Sequence, residues 1–320
     1  MLIDYKNGLY ALDAGYVRPL LAAIHLVVDS GRVAVIDTGS NAALPRVLQA
    51  LAELSVDVDA VDYVILSHIH LDHAGGAGAM MRAFPNAKLV VHPRGVRHMV
   101  DPARLMAATE EVYGRELARS LYGELVPVAA ERVVATTDGL TLAIGARRLV
   151  CYDAPGHAKH HVVIHDPQAA AVFTGDTFGL SYREMDVDGR AFVFPTTTPS
   201  QFEPDHLRRS IERILALQPE AVYLTHFSRI APPEPLAADL LRRLERLVVI
   251  TRSAAVGARE AIEPRIATEM ADFLLAEARQ HGVRLTDEEI LALWRNDIDL
   301  NAQGLALWAK SAPPNHQRSP

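Results

Sequence analysis

Within a single six-residue segment, the 320-residue chain carries three imidazoles and a carboxylate. The segment reads His68-Ile69-His70-Leu71-Asp72-His73 and follows an apolar run over residues 61–66. Histidine and aspartate are the ligands that borderline cations such as zinc and iron prefer, and a strand that faces a core rarely needs four of them so close together. The segment therefore indicates a metal site.

The spacing within this segment predicts where its four side chains point. Residues two apart on an extended chain point to the same side, so His68 and His70 converge on one point and can share a cation. The small, helix-tolerant residues after His73 predict a change from strand to helix, which places Asp72 and His73 at the turn. From there the two side chains can bind a second cation near the first.

Further candidate ligands follow three later apolar runs. A cation needs about four or more ligands, so other parts of the chain must contribute. Each of the three runs predicts a short strand, and a strand end on a rigid sheet is a suitable place for a catalytic side chain. The candidates are His157, Asp176 and His226.

The order of these motifs resembles the metallo-β-lactamase-fold hydrolase superfamily. The similar elements are HxHxDH, a later Gly-His, a later Gly-Asp, a final histidine after a strand, and an early Asp-x-Gly at residues 37–39. They occur in the family's order over about the first two-thirds of the chain. The resemblance implies two divalent metal ions, for which zinc, iron and manganese are all suitable. It assigns His68, His70 and His157 to the first metal, Asp72, His73 and His226 to the second, and Asp176 to both.

The resemblance also implies roles for residues around the metals. Asp37 corresponds to the family's aspartate that supports the ligand loop without touching metal. His161 lies where family members often carry another histidine, and we expect it, like His160, to support the site rather than bind metal. Asp72 is expected to accept a proton in the reaction as well as to bind metal.

The loop that follows Asp176 is the best candidate for substrate contact. It leaves the sheet beside the predicted metals, and loops placed in this way on a rigid scaffold often bind substrate. Tyr182 and Arg183 lie on this loop. We expect one or both to orient a carbonyl or carboxylate group of the substrate.

Departures from individual branches of the superfamily narrow the expected chemistry. The β-lactamases that use a cysteine ligand would need it where Asp176 stands, and the single cysteine is Cys151. The flavodiiron branch needs a glutamate ligand within the HxHxDH motif, which is absent, and Gly179 stands where one lactonase branch has tyrosine. The pattern stays closest to glyoxalase II-like thioesterases. This implies a hydrolase that uses a metal-bridging hydroxide on a small-molecule thioester, ester or lactone.

Two functions from other classes stay open at this point. The chain could be a ligand-responsive regulatory protein that retains the metal site, with a helical region as its partner surface. It could also be a mononuclear iron oxygenase that acts on a persulfide, which some superfamily members resemble. The complete ligand set favours the hydrolase over both.

Composition and charge are consistent with a cytoplasmic enzyme. The chain is 49% hydrophobic and 22% charged, which is ordinary for a globular protein. Its net charge of −7 disfavours capture of nucleic acid. No apolar stretch approaches the roughly 20 residues of a membrane span, and the first residues lack a secretory pattern. The single cysteine fits a reducing compartment.

The alternation of strand and helix patterns predicts the architecture. Residues 1–232 are typical of an αββα metallo-β-lactamase sandwich of the α/β (α+β) class, which forms the catalytic domain. A helical insertion over 103–113 is expected to line the pocket. After the pair Pro232-Pro233 nearly all the sequence favours helix, so residues 233–320 are predicted to be a helical region that caps the site or forms a homodimer surface. The predicted helices span 236–254, 258–281 and 286–309, and the last begins with a capping box of Thr286 and Glu289.

Overall fold

Two mixed β-sheets pack face to face and form the centre of the molecule. A computed structural model describes residues 1–256 and 262–311. The first sheet contains Leu2–Asp4 (β1), Leu9–Asp13 (β2), Ala23–Asp29 (β3), Arg32–Ile36 (β4), Val61–Ile65 (β5), Lys88–Val91 (β6) and Val133–Ala135 (β7). The second contains Leu140–Ile144 (β8), Arg147–Asp153 (β9), Val162–Asp166 (β10), Ala171–Gly175 (β11), Ala221–Leu224 (β12) and Ser228–Ile230 (β13).

Parallel strand pairs in both sheets bring the candidate ligands to one edge. The first sheet lies in chain order, and β4 to β7 run parallel. The second has the order β13-β12-β11-β10-β9-β8, with β11 and β12 parallel. Because the carboxyl ends of parallel strands meet at the same edge, the loops after β4, β5, β11 and β12 begin close together. These loops carry Asp37, the 68–73 segment, Asp176 and His226.

Helices cover the outer faces of both sheets. They are Leu44–Glu53 (α1), Leu71–Ala74 (α2), Ala77–Ala83 (α3), Pro93–Val100 (α4), Ala103–Tyr113 (α5), Arg115–Tyr122 (α6), Pro204–Ala216 (α7), Pro233–Ala254 (α8), Ile262–His281 (α9) and Asp287–Ser311 (α10). One apolar cluster lies between the sheets, a second lies between the first sheet and α1 and α3, and a third lies between the second sheet and α7 to α10. The predicted αββα sandwich with a helical C-terminal region is confirmed.

The C-terminal helices share a core with the second sheet. Leu240 on α8 and Trp294 on α10 belong to the same buried cluster as Phe178 and Val222. The helix α8 begins at Pro233, beside the predicted boundary, but apolar packing continues across that boundary. The division into two domains stays a prediction. Within the described residues no helix is both long enough and apolar enough to cross a membrane.

Several helix predictions can be compared with the observed bounds. The insertion helix matches α5, and the capping box is confirmed, since the Thr286 hydroxyl accepts from the Glu289 N–H at 3.2 Å and Glu289 accepts from the Thr286 N–H at 2.7 Å. The predicted start of the middle helix at residue 258 lies outside the described residues. The sequence analysis missed α4, which begins with Pro93 after the N-cap His92.

We expect Gly304→Ala to destabilise the fold where α10 packs on the second sheet's loops. A Cβ at position 304 would lie 1.7 Å from the carbonyl oxygen of Thr197. Such overpacking typically costs about 1–3 kcal/mol, so the free energy of unfolding measured in urea should fall by that amount. Leu307→Ala is the control, because this side chain on the same helix is 43% exposed. Equal unfolding midpoints for Gly304→Ala and the unaltered chain would contradict the close approach.

Candidate metal centre

The 68–73 segment changes from an extended chain to a helical turn, as its spacing predicts. The strand β5 ends at Ile65, and His70 is the extended N-cap residue of α2 (φ −62°, ψ 147°). The carbonyl of His70 accepts from the N–H of His73 at 3.0 Å and from that of Ala74 at 2.8 Å. Asp72 and His73 therefore lie in the first turn of α2, next to the two histidines of the extended part.

Three imidazoles converge to form the first ligand group. His70 Nδ1 lies 2.8 Å from His68 Nε2 and 3.0 Å from His157 Nε2. His70 Nδ1 can take part in only one of these two contacts as a hydrogen bond. Hydrogen bonds between the imidazoles therefore cannot satisfy all three nitrogens. A shared cation can satisfy them, because neutral imidazole nitrogens are common metal ligands.

An aspartate and two histidines form the second group. Asp72 Oδ2 lies 3.4 Å from His73 Nε2 and 3.3 Å from His226 Nε2. His226 is oriented by its other nitrogen, Nδ1, which donates to the Leu21 carbonyl at 2.8 Å. In each of these two groups of three residues, the donor atoms lie within 4.8 Å of one another. The spacing suits a single ion in each group.

Asp176 lies between the two groups. Its Oδ2 is 3.4 Å from His157 Nε2, whereas its Oδ1 is 3.3 Å from His73 Nε2 and 3.6 Å from His226 Nε2. The Asp176 Oδ1 and His73 Nε2 atoms are both buried and have no hydrogen-bond partner within the described residues. Such unpaired buried atoms are costly unless they bind something. The arrangement therefore fits two cations joined by one carboxylate.

Glycine at position 175 allows this carboxylate to approach the other ligands. Gly175 has a φ of 50°, in the left-handed region. A Cβ at this position would lie 2.6 Å from His161 Nε2 and 2.7 Å from the Ser67 hydroxyl. A larger residue would push apart the loops that carry Asp176 and the first ligand group.

The electrostatics of the cluster favour neutral imidazoles in the first group and an ionised carboxylate in the second. Burial and the neighbouring imidazoles lower the pKa of His68 well below its usual value and that of His70 to about 3, so both are neutral at pH 7. Burial raises the pKa of Asp72, but the imidazoles of His73 and His226 hold it well below its usual range. Neutral imidazoles and ionised carboxylates are the forms that bind metal.

Asp37 holds the ligand segment without being near enough to serve as a ligand in either group. One of its oxygens accepts from the Ser67 N–H at 2.8 Å. The other accepts from the Ser67 hydroxyl at 2.8 Å, from His73 Nδ1 at 2.9 Å and from the Thr225 hydroxyl at 2.7 Å. Because Nδ1 of His73 is used in this way, its Nε2 is directed toward Asp72 and Asp176.

His161 has both ring nitrogens occupied by contacts outside the ligand groups. Its Nε2 accepts from the backbone N–H of Asp176 at 3.1 Å, so the proton lies on Nδ1, which is 3.2 Å from the Thr177 hydroxyl. The ring therefore fixes the backbone that carries Asp176. This position agrees with a supporting role for His161.

The structure separates the two residues that were predicted to contact substrate. Tyr182 lines a cavity beside the candidate ligands, although the residue is only 1% exposed and its hydroxyl donates to Asp297 at 2.9 Å. Arg183 does not line this cavity. Its guanidinium donates to the Ser181 carbonyl at 2.8 Å and lies 3.2 Å from Asp186. These contacts do not support a substrate role for Arg183.

The cavity has a volume of about 370 Å³, and residues from distant parts of the chain line it. The insertion contributes side chains of α5, as predicted, and Tyr122 of α6, whose hydroxyl lies 2.6 Å from that of Tyr16. His160, which was expected to support the site, lines the cavity, and its buried Nδ1 has no hydrogen-bond partner within the described residues. The sequence pattern gave no indication of Asp297 of α10, which also lines the cavity.

A family model described as "Metallo-beta-lactamase superfamily" matches residues 17–226. The chain belongs to the metallo-β-lactamase superfamily. The matched range includes every candidate ligand of both groups. It ends at His226, so the helices that follow lie beyond the matched region.

The similar proteins agree with this family assignment, and the similar solved structures agree with the fold. The chain is 26% identical over 233 residues to "Metallo-beta-lactamase fold-containing protein ST1585" of Sulfurisphaera tokodaii, which covers 71% of this chain and 80% of that protein. It is also 26% identical over 270 residues to a hydroxyacylglutathione hydrolase of Erythrobacter litoralis, an alignment that covers 84% of this chain and 85% of that protein.

The crystal structure of ST1585 from Sulfolobus tokodaii superposes with a TM-score of 0.66 at 22% identity, covering 93% of this chain and 98% of that one. A metallo-beta-lactamase family protein from Thermus thermophilus, TTHA1429, also gives 0.66, at 19% identity, covering 95% and 93%.

We expect Asp37→Asn to weaken metal binding without removing a ligand. An amide in place of the carboxylate cannot accept from all the donors that Asp37 now holds, so His73 loses its fixed orientation. Loss of such a supporting contact typically costs about 10–100-fold in metal affinity, which competition titration with a chelating dye measures. Asp62→Asn, on the neighbouring strand β5, is the control. Unchanged affinity in Asp37→Asn would show that His73 is oriented by other contacts.

Proposed function

We propose that this protein is a metal-dependent hydrolase with a dinuclear centre, which cleaves a thioester, ester or lactone of a small molecule. The observation that carries the proposal is the pair of ligand groups joined by the two oxygens of Asp176. This pair lies beside a cavity large enough for a small substrate. The donor set suits zinc, iron or manganese.

The similar proteins support the same reaction class. Several hydroxyacylglutathione hydrolases are 25–31% identical to this chain over the aligned residues, including that of Erythrobacter litoralis at 26%. Such a level of identity supports hydrolysis as the reaction class. It does not identify the acyl group or the leaving group of the substrate.

The chain's own residues determine what the centre can do. Two divalent cations held by these groups would supply a nucleophilic water at neutral pH and would polarise the scissile carbonyl. Asp72 faces His73 and His226 with one oxygen, which places its carboxylate at the second group, where it could accept a proton. His161 and Asp37 hold the ligands in place, so that little reorganisation is needed when substrate binds.

Elemental analysis and activity of the same purified sample test this proposal. We expect about two metal ions per chain and cleavage of one class from a panel of thioesters, lactones and phosphodiesters. One iron per chain with oxygen uptake and no hydrolysis would favour the persulfide oxygenase instead. A sample without metal that still binds a partner would favour a regulatory protein.

We expect Asp72→Ala to lose the second metal and most of the hydrolytic activity. Proton transfer by a positioned side chain contributes about 10²–10⁴-fold to a rate, and the variant also loses a ligand, so kcat should fall at least about a hundredfold. Metal content and kcat are measured on the same preparation. The exposed Asp59→Ala serves as the control, and a variant Asp72→Ala with unchanged kcat would disprove the role of Asp72.

The cytoplasmic location, the small-molecule substrate and a homodimer through the helical region stay predictions. The panel above tests the small-molecule substrate, whereas the location and the homodimer are not needed for that test. Measurement of the molecular mass in solution on the same sample decides whether the chain forms a homodimer.

A further inference from the structure

Asp297 brings a carboxylate from the helical region into the wall of the metal cavity. It lies on α10, and its side chain lines the same cavity as Asp72 and Asp176. Among the described residues it belongs to none of the groups that could hold a metal ion. A carboxylate that binds no metal therefore faces the space in which a substrate would lie.

Tyr182 holds this carboxylate in place. Its hydroxyl donates to Asp297 Oδ2 at 2.9 Å, and within the described residues this is the only hydrogen bond that the carboxylate accepts. An ionised carboxylate has about four acceptor positions on its two oxygens. Most of the acceptor capacity of Asp297 is thus available to a ligand in the cavity.

The Tyr182 ring is itself fixed from two sides. It packs edge to face against Phe194 with centroids 6.0 Å apart, and the guanidinium of Arg18 lies 4.5 Å from the centre of its ring. The charge of Arg18 is paired with Glu184 at 2.8 Å. Asp297 is therefore held by a neutral hydroxyl, and Arg18 makes no direct ion pair with it.

The surroundings of Asp297 do not favour a negative charge. Burial raises the pKa of this carboxyl to about 6, and the Tyr182 hydroxyl offsets the effect only in part. The charges of His226 and Arg18 also lower this pKa, but partial burial of a carboxylate that makes no ion pair within the described residues still costs stability. An ionisable group retained at such a cost in a cavity is typical of a functional site.

We propose that Asp297 is a specificity-determining residue, which accepts a hydrogen bond from a hydroxyl or ammonium group on the substrate. This donor group lies on the part of the substrate that extends from the metal centre toward α10. Leu180 and Leu300, which also line the cavity, suit an apolar spacer between the two ends. Tyr182 is a positioning residue that acts through Asp297. The inference rests on the proposed hydrolase function for the reacting end of the substrate.

A set of thioesters that differ only at the far end of the acyl chain tests the proposal. The metal-loaded full chain is assayed with methyl, hydroxyl and ammonium ends on acyl chains of graded length. At the best length, kcat/KM should be at least about tenfold higher for a hydroxyl or ammonium end than for methyl, because a hydrogen bond to a charged group is worth this much. The better of the two donors identifies the natural group. Equal values for all three ends would overturn the proposal.

Two substitutions at position 297 separate the roles of charge and hydrogen bonding. Asp297→Leu keeps the branching at Cγ and has no acceptor, so the preference for a donor end should fall to within about threefold. Asp297→Asn should lose the preference for ammonium and keep part of that for hydroxyl. Asp299→Leu, an exposed position two residues further along α10, is the matched control and should keep the full preference.

Tyr182→Phe tests the positioning role. We expect it to raise KM for the donor-ended thioester by a larger factor than KM for the methyl-ended thioester, because the placement of Asp297 is disturbed. A fall in kcat for every thioester would instead show that Tyr182 acts on the fold or on the metal centre, and would overturn its role as a positioning residue.

Binding of alkanethiols with the same three ends distinguishes failure of this inference from failure of the proposed function. Their dissociation constants for the metal-loaded chain are measured by calorimetry. If no thioester, ester or lactone is cleaved, the hydrolase proposal fails, but tighter binding of a donor-ended thiol that is lost in Asp297→Leu still supports the role of Asp297. Equal dissociation constants, or no binding of any thiol, would overturn that role.

Discussion

The buried carboxylate of Asp37 connects the parts of the chain that supply the candidate ligands. It accepts hydrogen bonds from the backbone and hydroxyl of Ser67, from the ring of His73 and from the hydroxyl of Thr225. Ser67 follows a strand of the first sheet, and Thr225 follows a strand of the second. Hydrogen bonds to a carboxylate are short and strong, so this side chain helps to hold the two sheets together at the ligand edge, with backbone bonds such as that from the Val162 N–H to the Ser67 carbonyl.

The ligand cluster explains why such a connection is needed. Imidazole nitrogens of His68, His70 and His157 approach to about 3 Å, and a buried oxygen of Asp176 has no hydrogen-bond partner within the described residues. These contacts cost stability until a cation satisfies them, so binding of metal and stability of the fold are coupled. A scaffold with rigid strand ends is required to hold unsatisfied groups this close together.

The cavity beside the cluster combines elements that the sandwich itself does not need. The insertion contributes α5 and α6, and the helical region contributes α10. Because α8 to α10 share a core with the second sheet, the position of α10 is as well determined as that of the sheet. The candidate ligands and the part of the cavity wall formed by α5, α6 and α10 thus lie on different elements, which would allow one set to change while the other is retained.

The sequence by itself determined the ligand segment and the layered fold, because both depend on local spacing. The period of the apolar runs indicated the sandwich, and the placement of His68 to His73 across a strand end indicated the metal site. Only the tertiary structure decided which oxygen of Asp176 faces which ligand group. It also decided that Asp297, 115 residues after Tyr182, meets that hydroxyl in the cavity. Helical periodicity cannot distinguish Asp297 from the exposed Asp299, because the distinction is made by packing against a distant loop.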